Sequence, residues 1–108
     1  MLPFSVRAVS TAAAFFIVNS GFAADYEITQ KDKKFNQVKM AVKVGDVVNF
    51  RNEDPYSHNI YSLSDIKTFD LGSYPKGQSK AVTFDKPGTV EIECAIHPDM
   101  MLIVEVKK

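Results

Sequence analysis

From Met40 onward, apolar side chains recur mostly at every second position, in short runs separated by turn-forming residues. Met40, Val42 and Val44 alternate with Ala41 and Lys43, Gly45-Asp46 turns the chain, and Val47 to Arg51 follows as a second extended run. Asn52-Glu53-Asp54-Pro55 is a loop by composition, and His58 to Leu63, with Ile60, Tyr61 and Leu63, favours an extended backbone. Gly72, Pro75 and Gly77 interrupt Ser64 to Gln78, which is expected to be mostly loop. Beyond it, Val82 and Phe84 alternate with Ala81 and Thr83, and Lys86-Pro87-Gly88 makes a turn. Val90, Ile92 and Cys94 then share one face opposite Glu91 and Glu93, and Leu102, Val104 and Val106 repeat the pattern opposite Glu105 and Lys107. Successive strand side chains point to opposite faces, so this alternation places Cys94 inside. Apolar spacing of helical period never persists beyond a turn or two. Roughly six to eight short strands with regular turn signals predict an all-β fold, an antiparallel β-sandwich or barrel.

The first residues follow a different rule. Arg7 supplies a positive start, Ala8 to Val18 is apolar apart from Ser10 and Thr11, and Gly21-Phe22-Ala23 places small residues at a cleavage site. That run of about eleven residues falls short of the roughly 20 needed to span a bilayer. Residues 1-23 are therefore expected to be a cleaved signal peptide, helical while attached, and residues 24-108 a single exported, periplasmic domain with no membrane span. Removing Arg7 from thirteen basic and thirteen acidic residues leaves the mature chain one negative charge from neutrality. Nucleic-acid binding would want a basic excess, and Lys31, Lys33 and Lys34 read as a solvated turn between strands.

Export to an oxidising compartment usually comes with paired cysteines, yet this chain has one. It heads Cys94-Ala95-Ile96-His97-Pro98-Asp99-Met100, where a thiolate, an imidazole and a thioether stand three residues apart between the last two strands. A loop closing such a strand pair curls these side chains toward a common centre. The second of the two histidines in the chain, His58, heads a strand far upstream. Two imidazoles and a thiolate in a plane, with a weak axial thioether, form the ligand set of electron-transferring copper centres. Structural zinc prefers four strong ligands, whereas soft sulfur favours Cu(I), so copper is expected at His58, Cys94, His97 and Met100. Met101 is the alternative axial residue; Met100 keeps the three-residue spacing and shares parity with Leu102 and Val104.

With these motifs the chain resembles the cupredoxin (blue copper) family, its amicyanin, pseudoazurin and plastocyanin-like branches above all. Cys-x-x-His-x-x-Met before the last strand carries the resemblance, together with Val42 to Phe50, the segment ending in His58-Asn59, Gly77-Gln78-Ser79 and Phe84 to Gly88. The resemblance implies a Greek-key sandwich with one type 1 copper ion near one end. It also implies that the Asn59 side chain ties the first ligand strand to the backbone beside Cys94, an outer contact that fixes ligand orientation. By the same resemblance, the protein carries single electrons by Cu(II)/Cu(I) cycling between transient protein redox partners, a periplasmic dehydrogenase and a cytochrome among them. It is expected to act as a monomer.

Two departures bear on docking. Little chain lies between His58 and Cys94, so accessory loops found in larger relatives are expected to be missing. Asp54 and Asp99 are also expected near the copper end, where they would favour a cationic partner. Pro55, Tyr56, Pro98 and Met101 are expected at the rim, with His97 offering its ring edge to the partner. Two other readings use the same residues: a periplasmic copper carrier or chaperone that delivers metal, and an enzyme in which His97 or His58 activates Cys94 as a nucleophile. The enzyme reading leaves Met100 without a role and finds no third catalytic group, so no enzymatic activity is expected.

Overall fold

The computed structural model describes residues 23–108, so the segment carrying the expected signal peptide, residues 1–22, lies outside the described residues. Among the described residues nine strands run in order: β1 (Asp25–Lys31), β2 (Lys34–Phe35), β3 (Lys39–Lys43), β4 (Val47–Asn52), β5 (Ile60–Ser64), β6 (Lys67–Asp70), β7 (Ser79–Thr83), β8 (Gly88–Cys94) and β9 (Met101–Lys107). They form two sheets, ordered β3-β9-β8-β5-β6 and β2-β1-β4-β7. The architecture is the expected β-sandwich, and among the described residues there is no helix. Both sheets are mixed: β3 runs parallel to β9 and β1 runs parallel to β4, while the remaining neighbours are antiparallel. In each parallel pair the partner comes from a distant part of the chain, which is how a Greek-key path crosses between layers.

Alternation built the core as the pattern predicts. Val90, Ile92 and Cys94 of β8 face Leu102, Val104 and Val106 of β9 on the inner side, across from Val48 and Phe50 of β4. Phe50 sits at the centre, with ring centroids of Phe35 and Phe69 each 6.4 Å away. Phe69 belongs to a strand the sequence reading assigned to loop. Ser64 to Gln78 begins with a hairpin in which β6 pairs antiparallel with β5, and only Leu71 to Gln78 is irregular. Lys67-Thr68-Phe69-Asp70 is too short and too polar for its alternation to stand out, so the pairing edge of β5 decides its conformation.

Several strand connections use the left-handed region, two of them among the first four strands. Asp32 and Lys33, with φ of 56° and 60°, turn the chain between β1 and β2, the conformation of a two-residue type I′ hairpin loop. Gly45, at φ 98°, turns it between β3 and β4. Asp46 then clamps that corner: its carboxylate accepts the main-chain N–H of Lys43 at 2.8 Å and of Ala24 at 2.9 Å. With Val47 N–H donating to Ala24 O at 2.9 Å, the start of β1 is fixed against β4.

Candidate metal centre

Strand register brings the distant histidine to the cysteine. In the antiparallel β5–β8 pair Cys94 lies opposite Ile60, and just beyond the ladder Ala95 N–H donates to Asn59 O at 2.9 Å. His58, one residue further back, is thus set beside the first turn of the loop that leaves Cys94. That loop is closed by β8 and β9, whose register ends at Glu93 opposite Met101, and by Met100 N–H donating to His97 O at 3.0 Å. His97 is therefore folded back over Cys94.

The result is a nearly isosceles triangle of donor atoms. His58 Nδ1 is 3.1 Å from His97 Nδ1, and Cys94 Sγ is 3.8 Å and 3.7 Å from the two nitrogens. These three residues form a cluster of side chains able to hold a metal ion. A point equidistant from the three atoms lies about 2.1 Å from each, the length of a metal–imidazole bond and slightly short of a metal–thiolate bond. A soft thiolate with two imidazoles in this planar arrangement fits copper.

Burial divides the ligand candidates. His58 is 1% exposed and Cys94 3%, so both are covered by the sandwich, while His97 is half-buried at its end. Met100 is 1% exposed and packs in the same core cluster as Cys94, whereas Met101 is 42% exposed. The parity expected from Leu102 and Val104 holds: Met100 turns in with them and Met101 turns out. Tyr56 covers the two imidazoles, its ring centroid 5.5 Å from that of His58 and 5.8 Å from that of His97.

The loop carrying His58 is braced by polar side chains that the sequence reading did not single out. Asn52, buried at the end of β4, donates its amide to Tyr56 O at 3.0 Å and Tyr74 O at 2.9 Å, and accepts Asp54 N–H at 2.8 Å. Tyr74 in turn donates to Phe50 O and accepts from buried Gln30. Asp54, 2% exposed, accepts His58 Nε2–H at 2.6 Å. With Nε2 donating there, Nδ1 of the neutral ring is left as a lone pair facing the triangle. The segment Asn52-Glu53-Asp54-Pro55 reads as loop, and nothing in its composition says that two of its polar side chains turn inward.

Electrostatics keep the donors ready. Burial would raise the Asp54 carboxyl, but hydrogen bonds from Asp32 N–H, His58 and Lys33 N–H outweigh it and leave the group below its ordinary value of 3.8. Partial burial pulls His97 below its ordinary 6.5, reinforced by the nearby His58 and Lys33 and opposed by Asp54. Both shifts favour an anionic Asp54 and a neutral His97 at pH 7.

Two expectations about the surroundings change. The Asn59 side chain donates to Asp70 Oδ1 at 2.7 Å; the tie to the backbone beside Cys94 is made instead by the Asn59 carbonyl. Asn59 precedes buried Ile60, so its side chain points outward, where β6 offers a carboxylate. Asp54 is not a surface acid either, because its charge is turned inward on His58. A groove of about 480 Å³ beside His97 is lined by Lys33, Lys34 and Asp99 together with Val38, Pro98 and Met101. Charges of both signs therefore border it, and the rim does not select a cationic partner. Pro55, Tyr56, Pro98 and Met101 are exposed around this end, as expected.

Comparison with known proteins agrees with this geometry. The family described as copper binding proteins, plastocyanin/azurin family, matches residues 22–107. The methylamine utilization protein MauL of Methylorubrum extorquens is 26% identical over 105 residues, covering 94% of this chain and 92% of that protein. Amicyanin-alpha of the same organism is 28% identical over 100 residues, covering 90% of this chain and 84% of that one. A solved structure of an oxidised amicyanin variant superposes with a TM-score of 0.71 at 25% identity, over 80% of this chain and 90% of the other.

Proposed function

Because the chain belongs to the plastocyanin/azurin family of copper-binding proteins, we propose that it is an exported carrier of single electrons with one type 1 copper ion held by His58, Cys94, His97 and Met100. The observation that carries this reading is the donor triangle, with His58 Nδ1, His97 Nδ1 and Cys94 Sγ all within 4.8 Å of one another and drawn from two distant segments. Copper bound there supplies a one-electron couple between Cu(II) and Cu(I).

The protein's part is to hold the donors still and to govern access. Asn52, Asp54 and Tyr74 fix the His58 loop, and the β5–β8–β9 register fixes Cys94 and the turn bearing His97. A scaffold of this rigidity suits a carrier, since small changes in ligand position between oxidation states keep transfer fast. His97 is the ligand within reach of a partner, beside exposed Tyr56 and Met101. Transient redox complexes bury less than about 1,200 Å², which this end of the sandwich can supply. One relative's name, methylamine utilization protein, supports partners from amine oxidation, and the family resemblance adds a periplasmic dehydrogenase as donor and a cytochrome as acceptor.

Burial weighs against the two other readings. Copper delivery requires an acceptor's ligands to displace those of the carrier one by one, and His58 and Cys94 are covered. A nucleophilic role for Cys94 requires a substrate to reach its sulfur, which is 3% exposed as a residue. Export would leave Ala24 as the first residue after cleavage. Its nitrogen lies 2.9 Å from an Asp46 oxygen, so the new terminal ammonium would gain a buried anionic partner. No helix among the described residues is long and apolar enough to cross a membrane.

The test is the absorption spectrum of the exported protein on addition of Cu(II), with Cys94→Ser as control. The expected result is an intense visible band in the wild type only, with reversible voltammetry. A colourless protein that surrenders its copper to an apo acceptor would instead establish delivery.

A further inference from the structure

Among the described residues Asp54 is the buried carboxylate that touches a proposed copper ligand. It stands four residues before His58, and its two oxygens accept three groups: His58 Nε2 at 2.6 Å, the main-chain N–H of Asp32 at 2.7 Å and that of Lys33 at 3.2 Å. Its own N–H is held by Asn52. His58 is its side-chain partner, with side-chain exposures of 0% for His58 and 3% for Asp54, and among the described residues no lysine or arginine comes within salt-bridge distance of it. The charge is therefore neither screened by water nor neutralised by a fixed cation, and its field falls on the imidazole it touches.

Resting on the copper reading above, we infer that Asp54 is a positioning residue for the centre: it holds His58 with Nδ1 turned toward Cys94 and His97, and its buried negative charge favours Cu(II) over Cu(I). A carboxylate on the far nitrogen of a metal-binding histidine fixes its tautomer and raises its basicity. A more basic, more negative ligand set stabilises the ion of higher charge, so the potential of this centre is lower than it would be with a neutral acceptor at position 54.

The same carboxylate also supports the turn between β1 and β2, where Asp32 and Lys33 hold left-handed dihedrals that Asp tolerates and Lys adopts only at a cost. Lys33 lies 5.9 Å from the Tyr56 ring, which covers both imidazoles. A substitution at position 54 can thus act through the turn as well as through His58, and the test must separate the two. Asn-Gly forms a type I′ turn unaided, so Asp32→Asn with Lys33→Gly provides a background in which the turn no longer leans on Asp54.

In that background, Asp54→Asn removes the charge with little change of shape. The expected result is a folded protein whose Cu(II) affinity falls about 10- to 100-fold, with a smaller change for Cu(I) and so a raised potential; Asp54→Glu recovers part of the loss. In the copper-free protein, imidazole ¹⁵N shifts should show His58 as the single Nε2–H tautomer, and Asp54→Ala should mix the tautomers. An unchanged ratio of Cu(II) to Cu(I) affinities in Asp54→Asn, or a tautomer indifferent to Asp54→Ala, overturns the inference. A wild type that shows the tautomer yet takes up no Cu(II) overturns the copper reading itself, and the charge effect with it.

Discussion

Asp46 tests how the chain corner that closes the sandwich is held. It is 4% exposed and its carboxylate accepts the main-chain N–H of Lys43 at 2.8 Å and the Ala24 nitrogen at 2.9 Å, a main-chain N–H in the full chain and the terminal ammonium once residues 1–23 are removed. Asp46→Asn keeps the shape but leaves one neutral acceptor and sets an amide N–H against a main-chain N–H. Hydrogen bonds to a charged group contribute about 1.5–3 kcal/mol each, so losing one and weakening the other should cost about 2–3 kcal/mol. For a domain of this size that corresponds to a melting temperature lower by about 10–20 °C. The pH dependence carries a second signature. Hydrogen bonds from Ala24 and Lys43 N–H hold the Asp46 carboxyl below its ordinary 3.8. A depressed carboxylate contributes its full stability above its unfolded value and loses it as pH falls through its folded value. The gap between wild type and variant should therefore be full at pH 6 and close progressively below about pH 4. Thermal unfolding of the copper-free proteins by circular dichroism, run at several pH values, measures both effects. A drop of less than about 3 °C at pH 6, or a gap that does not narrow in acid, would refute the reasoning.

Three further outcomes concern the centre itself. Met100→Gln should change the visible spectrum and the potential of the copper-loaded protein while Met101→Gln leaves both near wild type, because Met100 is buried in the same core cluster as Cys94 and Met101 faces solvent; the reverse result would assign the ligand role to Met101. His97→Gly should lose the visible band and regain it with added imidazole, since a half-buried ligand leaves an opening at the surface, whereas His58→Gly should resist such rescue because its site is covered. Asn59→Ala should leave the spectrum unchanged and cost no more than about 1 kcal/mol, because its link to Ala95 runs through the main chain and its exposed side chain reaches only Asp70; a shifted band would restore the side-chain role expected from sequence.

Much of the centre was legible because its chemistry resides in rare residue types. One cysteine, a histidine and a methionine at intervals of three, with a single further histidine in the chain, leave few alternatives, and strand parity said which of Cys94, Met100 and Leu102 face inward. β8 and β9 were equally plain, since each is half-buried and alternates without interruption. β6 was not, because an edge strand of four residues takes its conformation from the neighbour it pairs with. The fate of polar loop residues was hidden for a related reason. Asp54, Asn59 and Asp99 look alike in sequence, yet one is buried on a histidine, one lies across a strand edge and one is exposed at the rim.

What the sequence by itself determined is the donor inventory and the period of the strands, both of which are properties of residues taken one at a time or with near neighbours. Tertiary structure alone decided that His58 meets Cys94, through the β5–β8 register, and that Asp54 accepts from the back of the His58 ring. A buried carboxylate is stable only where several donors converge on it from different segments. That convergence depends on how β1, β4 and the two loops at this end are placed together, which no local pattern encodes.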